Sequence, residues 1–139
     1  MAVAMTSGEV LLVEDDRAIR DTLRELLEDE GYRVQWAEHG LDALKQLRAG
    51  LRAGQRPRLI LLDLMMPVMN GWEFREAQRR DPALSQIPVI VLSADDPLRE
   101  KVVGMSVAGW FSKPFAISAL LEAIHRCAGA APPQRALAR

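Results

Sequence analysis

The segment Leu59–Gly71, with the sequence LILLDLMMPVMNG, constrains the fold more than any other part of the chain. Its apolar run reaches a single carboxylate, Asp63, and residues that break regular structure follow at Pro67 and at Asn70. An unbroken apolar run between such residues is typical of a strand covered on both faces, as in a parallel sheet between helices. Pro67 cannot donate to a strand ladder, so the strand ends before it. We therefore expect Asp63 at the carboxyl end of a central strand, where open α/β sheets bind ligands.

The composition is that of one ordinary globular domain. The chain has 139 residues, of which 49% are hydrophobic, and a net charge of −1. Such a small charge provides no field that would attract nucleic acid or an anionic membrane. A single cysteine, Cys127, and the lack of clustered Cys and His favour a reducing cytoplasm. Because no signal peptide and no apolar run of roughly 20 residues is evident, we expect a cytoplasmic protein without a membrane span.

Strand-like and helix-like segments alternate along the chain. Short runs typical of strands cover residues 9–13, 32–37, 59–63, 88–92 and 108–111. Apolar residues at helical spacing follow each run, and helices are expected to begin near Asp16, Gly40, Gly71, Asp96 and Ile117. Five strand–helix repeats predict a doubly wound α/β domain with right-handed crossovers.

The remaining segments are less regular. Residues 47–50 are echoed by residues 51–54, which we interpret as an extended helix end or a loop with basic side chains. Residues 1–8 are expected to be disordered, and residues 129–139, with small residues and proline, to form a flexible C-terminal tail. Residues 9–128 would then form the folded domain.

Polar residues stand at four of the predicted strand ends. They are Glu14-Asp15-Asp16, Asp63, Ser93 and Lys113. Parallel strands bring their carboxyl ends to one edge of a sheet, so these side chains should lie close together. Taken one at a time, an acid after a strand is often only a helix cap, and a Ser or Lys there is usually a solvated loop residue. Their joint placement favours a functional site.

Crowded carboxylates repel one another unless a cation joins them. Oxygen ligands with room for water suit Mg²⁺, which prefers few carboxylates together with phosphate oxygens. Beside such an ion Asp63 could attack a phosphorus centre. Lys113, as a point charge, and Ser93, through its hydroxyl, could then bind the phosphoryl oxygens.

Four motifs in this order resemble those of the response-regulator receiver domains of bacterial two-component signalling. They are Val10–Asp16, Asp63–Gly71, Val91–Ala94 and Lys113–Phe115, and the resemblance covers roughly residues 8–128. The resemblance implies a CheY-like, flavodoxin-like (βα)5 fold whose five-stranded parallel sheet has the order 2-1-3-4-5.

The resemblance also implies roles for the residues that match the motifs. Asp63 would accept a phosphoryl group from a sensor histidine kinase or a histidine phosphotransfer protein. Mg²⁺, or Mn²⁺, would be bound by Asp15, Asp63 and the backbone oxygen of Met65, with assistance from Glu14.

The resemblance further implies that Ser93 and Lys113 bind the phosphoryl group, that Trp110 is the aromatic switch, and that Pro114 follows a cis peptide bond. The chain departs from the usual pattern at several positions. Glu14 replaces the commoner Asp, Trp110 is larger than the usual Tyr or Phe, and Ser106 stands where a turn glycine is usual.

The resemblance places a downstream protein partner on the face formed by the fourth predicted helix, the fifth strand and the fifth helix, and allows a homodimer on phosphorylation. The chain itself would bind no nucleic acid or membrane, and would catalyse only its own phosphorylation and dephosphorylation. An aspartate-nucleophile phosphatase is disfavoured because it needs a second acid at Met65. A receiver-like interaction module that works without phosphorylation is the alternative. The sequence leaves open whether the domain is a stand-alone protein.

Overall fold

The computed structural model describes residues 9–93 and 104–129. Five parallel strands form one sheet, β1 (Val10–Val13), β2 (Val34–Ala37), β3 (Leu59–Asp63), β4 (Val89–Ser93) and β5 (Gly109–Ser112). The described helices are α1 (Arg17–Asp29), α2 (Gly40–Arg52), α3 (Gly71–Arg80) and a C-terminal helix, Ile117–Ala128. The strand order is β2-β1-β3-β4-β5, which confirms the predicted flavodoxin-like sheet.

Three of the predicted segments lie outside the described residues. They are the helix expected from Asp96, the N-terminal eight residues, and the tail beyond Gly129. Among the helices that the structure does describe, none combines the length and the apolar character needed to cross a membrane.

Helices cover both faces of the sheet, which explains why its central strands are continuous apolar runs. Alternate strand residues point to opposite sides. Leu11, Ile60 and Val91 belong to the core that includes α2 and α3 residues. The other core contains Leu12 and Leu61 and includes residues of α1 and the C-terminal helix. All five residues of β3 are buried, so Asp63 ends a strand that has no solvent-facing side.

The helix ends follow the sequence signals, with one cap that was not predicted. Asp16 caps α1 by accepting the Ile19 N–H at 3.0 Å, and Gly31 has φ +95°, as predicted for the two ends of this helix. The helix α2 extends to Arg52, so the repeated segment is an extended helix end. His39 caps α2 through Nδ1, which accepts the Asp42 N–H, and this cap was not predicted.

The Asn70-Gly71 pair begins α3 directly. Asn70 and Glu73 form a capping box, in which each side chain accepts the other residue's backbone N–H. A Cβ atom added to Gly71 would lie 2.6 Å from the Asp63 carbonyl oxygen. Only glycine therefore allows α3 to begin this close to the end of β3, and the first turn of α3 holds the strand end that carries Asp63.

Two buried polar side chains interrupt the inner face of α3. Arg75 donates to the carbonyl oxygens of Met105 and Ser106, each at 2.8 Å, and to the Gln78 side chain at 2.7 Å. Gln78 in turn donates to the carbonyl oxygens of Leu84 and Ile87. These bonds explain why the helical signal of this segment is weak although the helix is well packed.

The end of the C-terminal helix is held at the amino-terminal edge of the sheet. The Tyr32 hydroxyl, just before β2, donates to the Gly129 carbonyl at 2.8 Å. Arg58 Nη1, just before β3, donates to the Ala128 carbonyl at 3.1 Å. The last turn of this helix is therefore fixed to the side of the domain opposite Asp63.

Candidate functional site

The carboxyl edge of the sheet brings together the predicted polar residues. Val13 of β1 is paired with Leu62 of β3, which places Glu14 beside Asp63. On the other side of β3, Ser93 ends β4 and is paired with Ser112 of β5, immediately before Lys113. The strand ends that carry these residues therefore meet at one edge of the sheet, as predicted from the sequence.

Three carboxylates form an acidic cluster at this edge. One oxygen each of Glu14, Asp15 and Asp63 lies within 4.8 Å of the others. Glu14 is 1% exposed and Asp63 is 4% exposed, whereas Asp15 is open to solvent. Two carboxylates of the cluster are therefore buried, and the third is exposed to solvent.

Lys113 approaches the cluster from the end of β5. Its Nζ atom lies 3.2 Å from Glu14 Oε1 and 4.0 Å from Asp63 Oδ1. The second Glu14 oxygen accepts the Asp16 N–H at 3.2 Å. The longer side chain of Glu14, compared with the usual Asp, thus reaches the lysine more closely than Asp63 does.

The pKa of Asp63 is raised from 3.8 to about 7. Loss of hydration on burial is the main cause, and the neighbouring charge of Glu14 adds to it. Lys113 and the Met65 N–H, which donates to Asp63 Oδ1 at 3.3 Å, act in the opposite direction. The carboxylate form of Asp63 is therefore incompletely stabilised by the protein alone.

The loop between β3 and α3 has one strained residue. Val68 has φ +66°, a left-handed conformation that costs a β-branched residue energy. Its side chain and that of Met65 are largely exposed, at 72% and 61%. The Gly71 N–H donates to the Leu64 carbonyl at 3.0 Å and closes the loop beside Asp63.

The remaining predicted residues lie around β4 and β5. Ser93 is 2% exposed, and its carbonyl accepts the Lys113 N–H at 2.6 Å. Trp110 is half-buried against the core on the α2–α3 side, and within the described ranges its buried Nε1 has no hydrogen-bond partner. The peptide bond between Lys113 and Pro114 is cis. Ser106 has φ +54°, in the turn that leads to β5.

Residues 10–125 match the family model described as the response regulator receiver domain. The chain belongs to this family. It is 37% identical over 117 residues to the response regulator MprA of Mycobacterium ulcerans, covering 83% of this chain and 47% of that protein. The same regulator from a Mycobacterium species is 38% identical over 114 residues, or 81% and 46% of the two chains. This receiver domain thus spans about half the length of these curated relatives.

Solved structures of receiver domains have the same fold. The chemotaxis protein CheY4 of Vibrio cholerae superposes with a TM-score of 0.75 at 31% identity, covering 89% of this chain and 99% of that chain. The signal receiver domain of a histidine kinase from Syntrophus aciditrophicus gives a TM-score of 0.76 at 27% identity, with coverages of 88% and 90%. The receiver interpretation made from the sequence is therefore confirmed.

The donor set of this receiver fits a hard divalent cation. It consists only of carboxylate oxygens, two of them on buried side chains and the third on the solvent side, where water could complete the coordination. The pKa of Asp63 is raised chiefly by burial and further by the charge of Glu14, and a cation here would offset that charge.

Arg20 is a residue near this site that the sequence reasoning missed. It is 8% exposed, and its Nη1 donates to the Glu14 carbonyl at 3.1 Å. The signal available in the sequence was its helical spacing from Leu23 and Leu27, which places it on the inner face of α1.

Proposed function

We propose that this receiver domain accepts a phosphoryl group on Asp63, in a reaction that depends on Mg²⁺ or Mn²⁺. The donor would be a phosphohistidine of a sensor histidine kinase or a histidine phosphotransfer protein. The observation that carries the proposal is the position of Asp63, which lies within 4.8 Å of two more carboxylates and 4.0 Å from a lysine. Carboxylates this close together repel one another, so the arrangement favours a function over a purely structural role.

In the proposed reaction an oxygen of Asp63 forms a bond to phosphorus as the histidine N–P bond breaks, and the nitrogen keeps the electron pair. Glu14, Asp15, Asp63 and the Met65 backbone oxygen would hold the cation, which supplies positive charge that offsets the carboxylates and the incoming phosphoryl group. Asp63 must be ionised to attack, and Lys113 favours that form. Lys113 would then pair with the phosphoryl oxygens.

Phosphorylation of Asp63 would add negative charge and strong hydrogen-bond acceptors next to the end of β4. Ser93 would donate to the new group, and Trp110 would change its packing in response. Moving a two-state domain from mostly inactive to mostly active needs about 5.5 kcal/mol. Two charge-assisted hydrogen bonds of about 3 kcal/mol each, or three of about 2 kcal/mol each, would supply that.

The output partner would bind the face formed by the fourth predicted helix, β5 and the C-terminal helix, and phosphorylation could also favour a homodimer. We place the domain at residues 9–128, between a short N-terminal segment and a C-terminal tail. The curated relatives are about twice as long as this domain. That this domain controls an output is therefore part of the proposal.

The test is labelling of the purified chain by acetyl phosphate, followed by intact-mass measurement, with Mg²⁺ and with EDTA. One phosphoryl group should appear only with Mg²⁺ and should be absent from Asp63→Asn. Asp81→Asn, which changes a carboxylate at the far end of α3, serves as the matched control and should be labelled normally. If no adduct forms, and Mg²⁺ with beryllofluoride leaves the Trp fluorescence unchanged, the chain acts as an interaction module without phosphorylation.

A further inference from the structure

Arg20 is buried without any carboxylate partner among the described residues. Its guanidinium lies over the Trp36 ring, 3.9 Å from the ring centroid, and one Nη donates to the Glu14 carbonyl oxygen. Nε is buried and has no hydrogen-bond partner in the described part of the chain. Burying a guanidinium with one hydrogen bond and one ring contact costs free energy, which suggests that its position has a role beyond stability.

The Glu14 carbonyl belongs to the peptide unit that joins two members of the acidic cluster. Because a peptide unit is planar, fixing its oxygen also fixes the direction in which the chain enters Asp15. The Asp15 side chain is exposed, and no hydrogen bond or ion pair from the described residues holds it. The orientation of the Asp15 side chain toward Asp63 therefore depends on the Glu14–Asp15 peptide unit, whose carbonyl accepts the hydrogen bond from Arg20.

Trp36 determines where the guanidinium can lie. It stands on the edge strand β2, paired with Leu12 of β1, and is 37% exposed, so its ring covers Arg20 from the solvent side. A cation over an indole face is attracted by the ring and loses freedom to turn away. The ring thus directs the Arg20 donor to the Glu14 carbonyl.

We propose that Arg20, held by Trp36, is a positioning residue for the divalent-cation site. It acts through the Glu14–Asp15 peptide unit and does not contact the ion. The inference rests on the proposed function, and it adds a requirement for Mg²⁺ affinity that lies outside the acidic cluster, in α1 and β2.

The sign of the effect separates positioning from simple electrostatics. Arg20 carries a positive charge near a cation site, so by Coulomb's law its removal alone should tighten Mg²⁺ binding. If Arg20 positions Asp15, its removal should weaken binding, as loss of partners behind metal ligands commonly does, by about 10- to 100-fold. Arg17, exposed on the same helix, provides the matched control for loss of charge.

The experiment is a Mg²⁺ titration of the full 139-residue chain followed by amide NMR shifts, which report both affinity and an intact fold. Arg20→Ala is expected to bind Mg²⁺ about 10- to 100-fold more weakly. Arg17→Ala should bind as the wild type or more tightly. Trp36→Ala should weaken binding less than Arg20→Ala, and Trp36→Phe, which keeps an aromatic face, should restore it.

Arg20→Lys keeps the charge and a donor but loses the flat stacking surface, and should have intermediate affinity. Wild-type affinity, or tighter binding, in Arg20→Ala would overturn the positioning role while leaving the proposed function intact. A wild-type chain that does not bind Mg²⁺ at all would overturn the proposed function, and the positioning role with it.

Discussion

Replacing Asp63 by Asn tests the electrostatics of the metal-free site. The pKa of Asp63 is raised from 3.8 to about 7, chiefly because burial removes its hydration. At pH values between 3.8 and about 7, the Asp63 carboxyl is ionised in the unfolded chain but protonated in the folded protein. The folded state then binds more protons than the unfolded state, so stability falls as the pH rises from about 4 to about 7. Below pH 4 the carboxyl is protonated in both states and the loss disappears.

The size of this effect follows from the pKa values. At about 1.4 kcal/mol for each pH unit, the rise to about 7 corresponds to at most ~4 kcal/mol of lost stability above pH 7. An Asn side chain cannot ionise and still accepts the Met65 N–H. In EDTA at pH 8, Asp63→Asn should therefore be more stable than the wild type by up to ~4 kcal/mol, and the difference should shrink toward pH 4.

Urea unfolding followed by circular dichroism, from pH 4 to pH 8 in EDTA, measures this difference. Asp29→Asn, at an exposed position in the last turn of α1, is the matched control and should follow the wild type. Excess Mg²⁺ should stabilise the wild type at pH 8 more than Asp63→Asn, because a ligand that binds only the folded state raises stability. Parallel curves for wild type and Asp63→Asn across this pH range would refute the argument.

Three further substitutions test neighbouring parts of the structure. Lys113→Ala should accept phosphate from acetyl phosphate poorly or fail to pass the change to the partner-binding face, and normal labelling together with normal output would contradict its role. Arg75→Ala should lower the free energy of unfolding by about 2–4 kcal/mol, because the carbonyls of buried Met105 and of Ser106 lose their donors. Arg80→Ala, on an exposed side chain, should change it by less than about 0.5 kcal/mol. Val68→Asn should raise the same free energy by about 0.5–1 kcal/mol, since Asn tolerates positive φ better than Val, and an unchanged urea midpoint would contradict strain at this residue.

The sequence predicted the fold and the placement of Asp63 because both depend on local signals. A buried parallel strand is a continuous apolar run. The carboxyl ends of such strands meet at one edge of the sheet, whatever the sequences of the helices between them. The same reasoning placed Glu14 and Lys113 at that edge. For the repeated segment it left a helix end and a loop both open, and the structure has the helix end.

Other features depend on tertiary partners that a sequence does not display. Arg75 and Gln78 occupy inner positions of α3 because backbone carbonyls from distant turns accept their hydrogen bonds. Arg20 is buried for a similar reason, with a carbonyl at the end of β1 as its acceptor. Each would be assigned to the surface from residue type alone, since arginine and glutamine are seldom buried. His39 as a helix cap was missed because histidine is not among the usual capping residues.

The attachment of the C-terminal helix determines how an event at Asp63 could reach the last turn of that helix. Tyr32 and Arg58 hold the last carbonyls of the helix at the starts of β2 and β3, while Asp63 lies at the finish of β3. The five residues of β3, at about 3.3 Å each, separate the two places by more than any side chain can reach. The last turn of the helix can thus respond to Asp63 only through displacement of whole elements, and the hydrogen bonds of Tyr32 and Arg58 are the contacts by which the starts of β2 and β3 would carry that displacement.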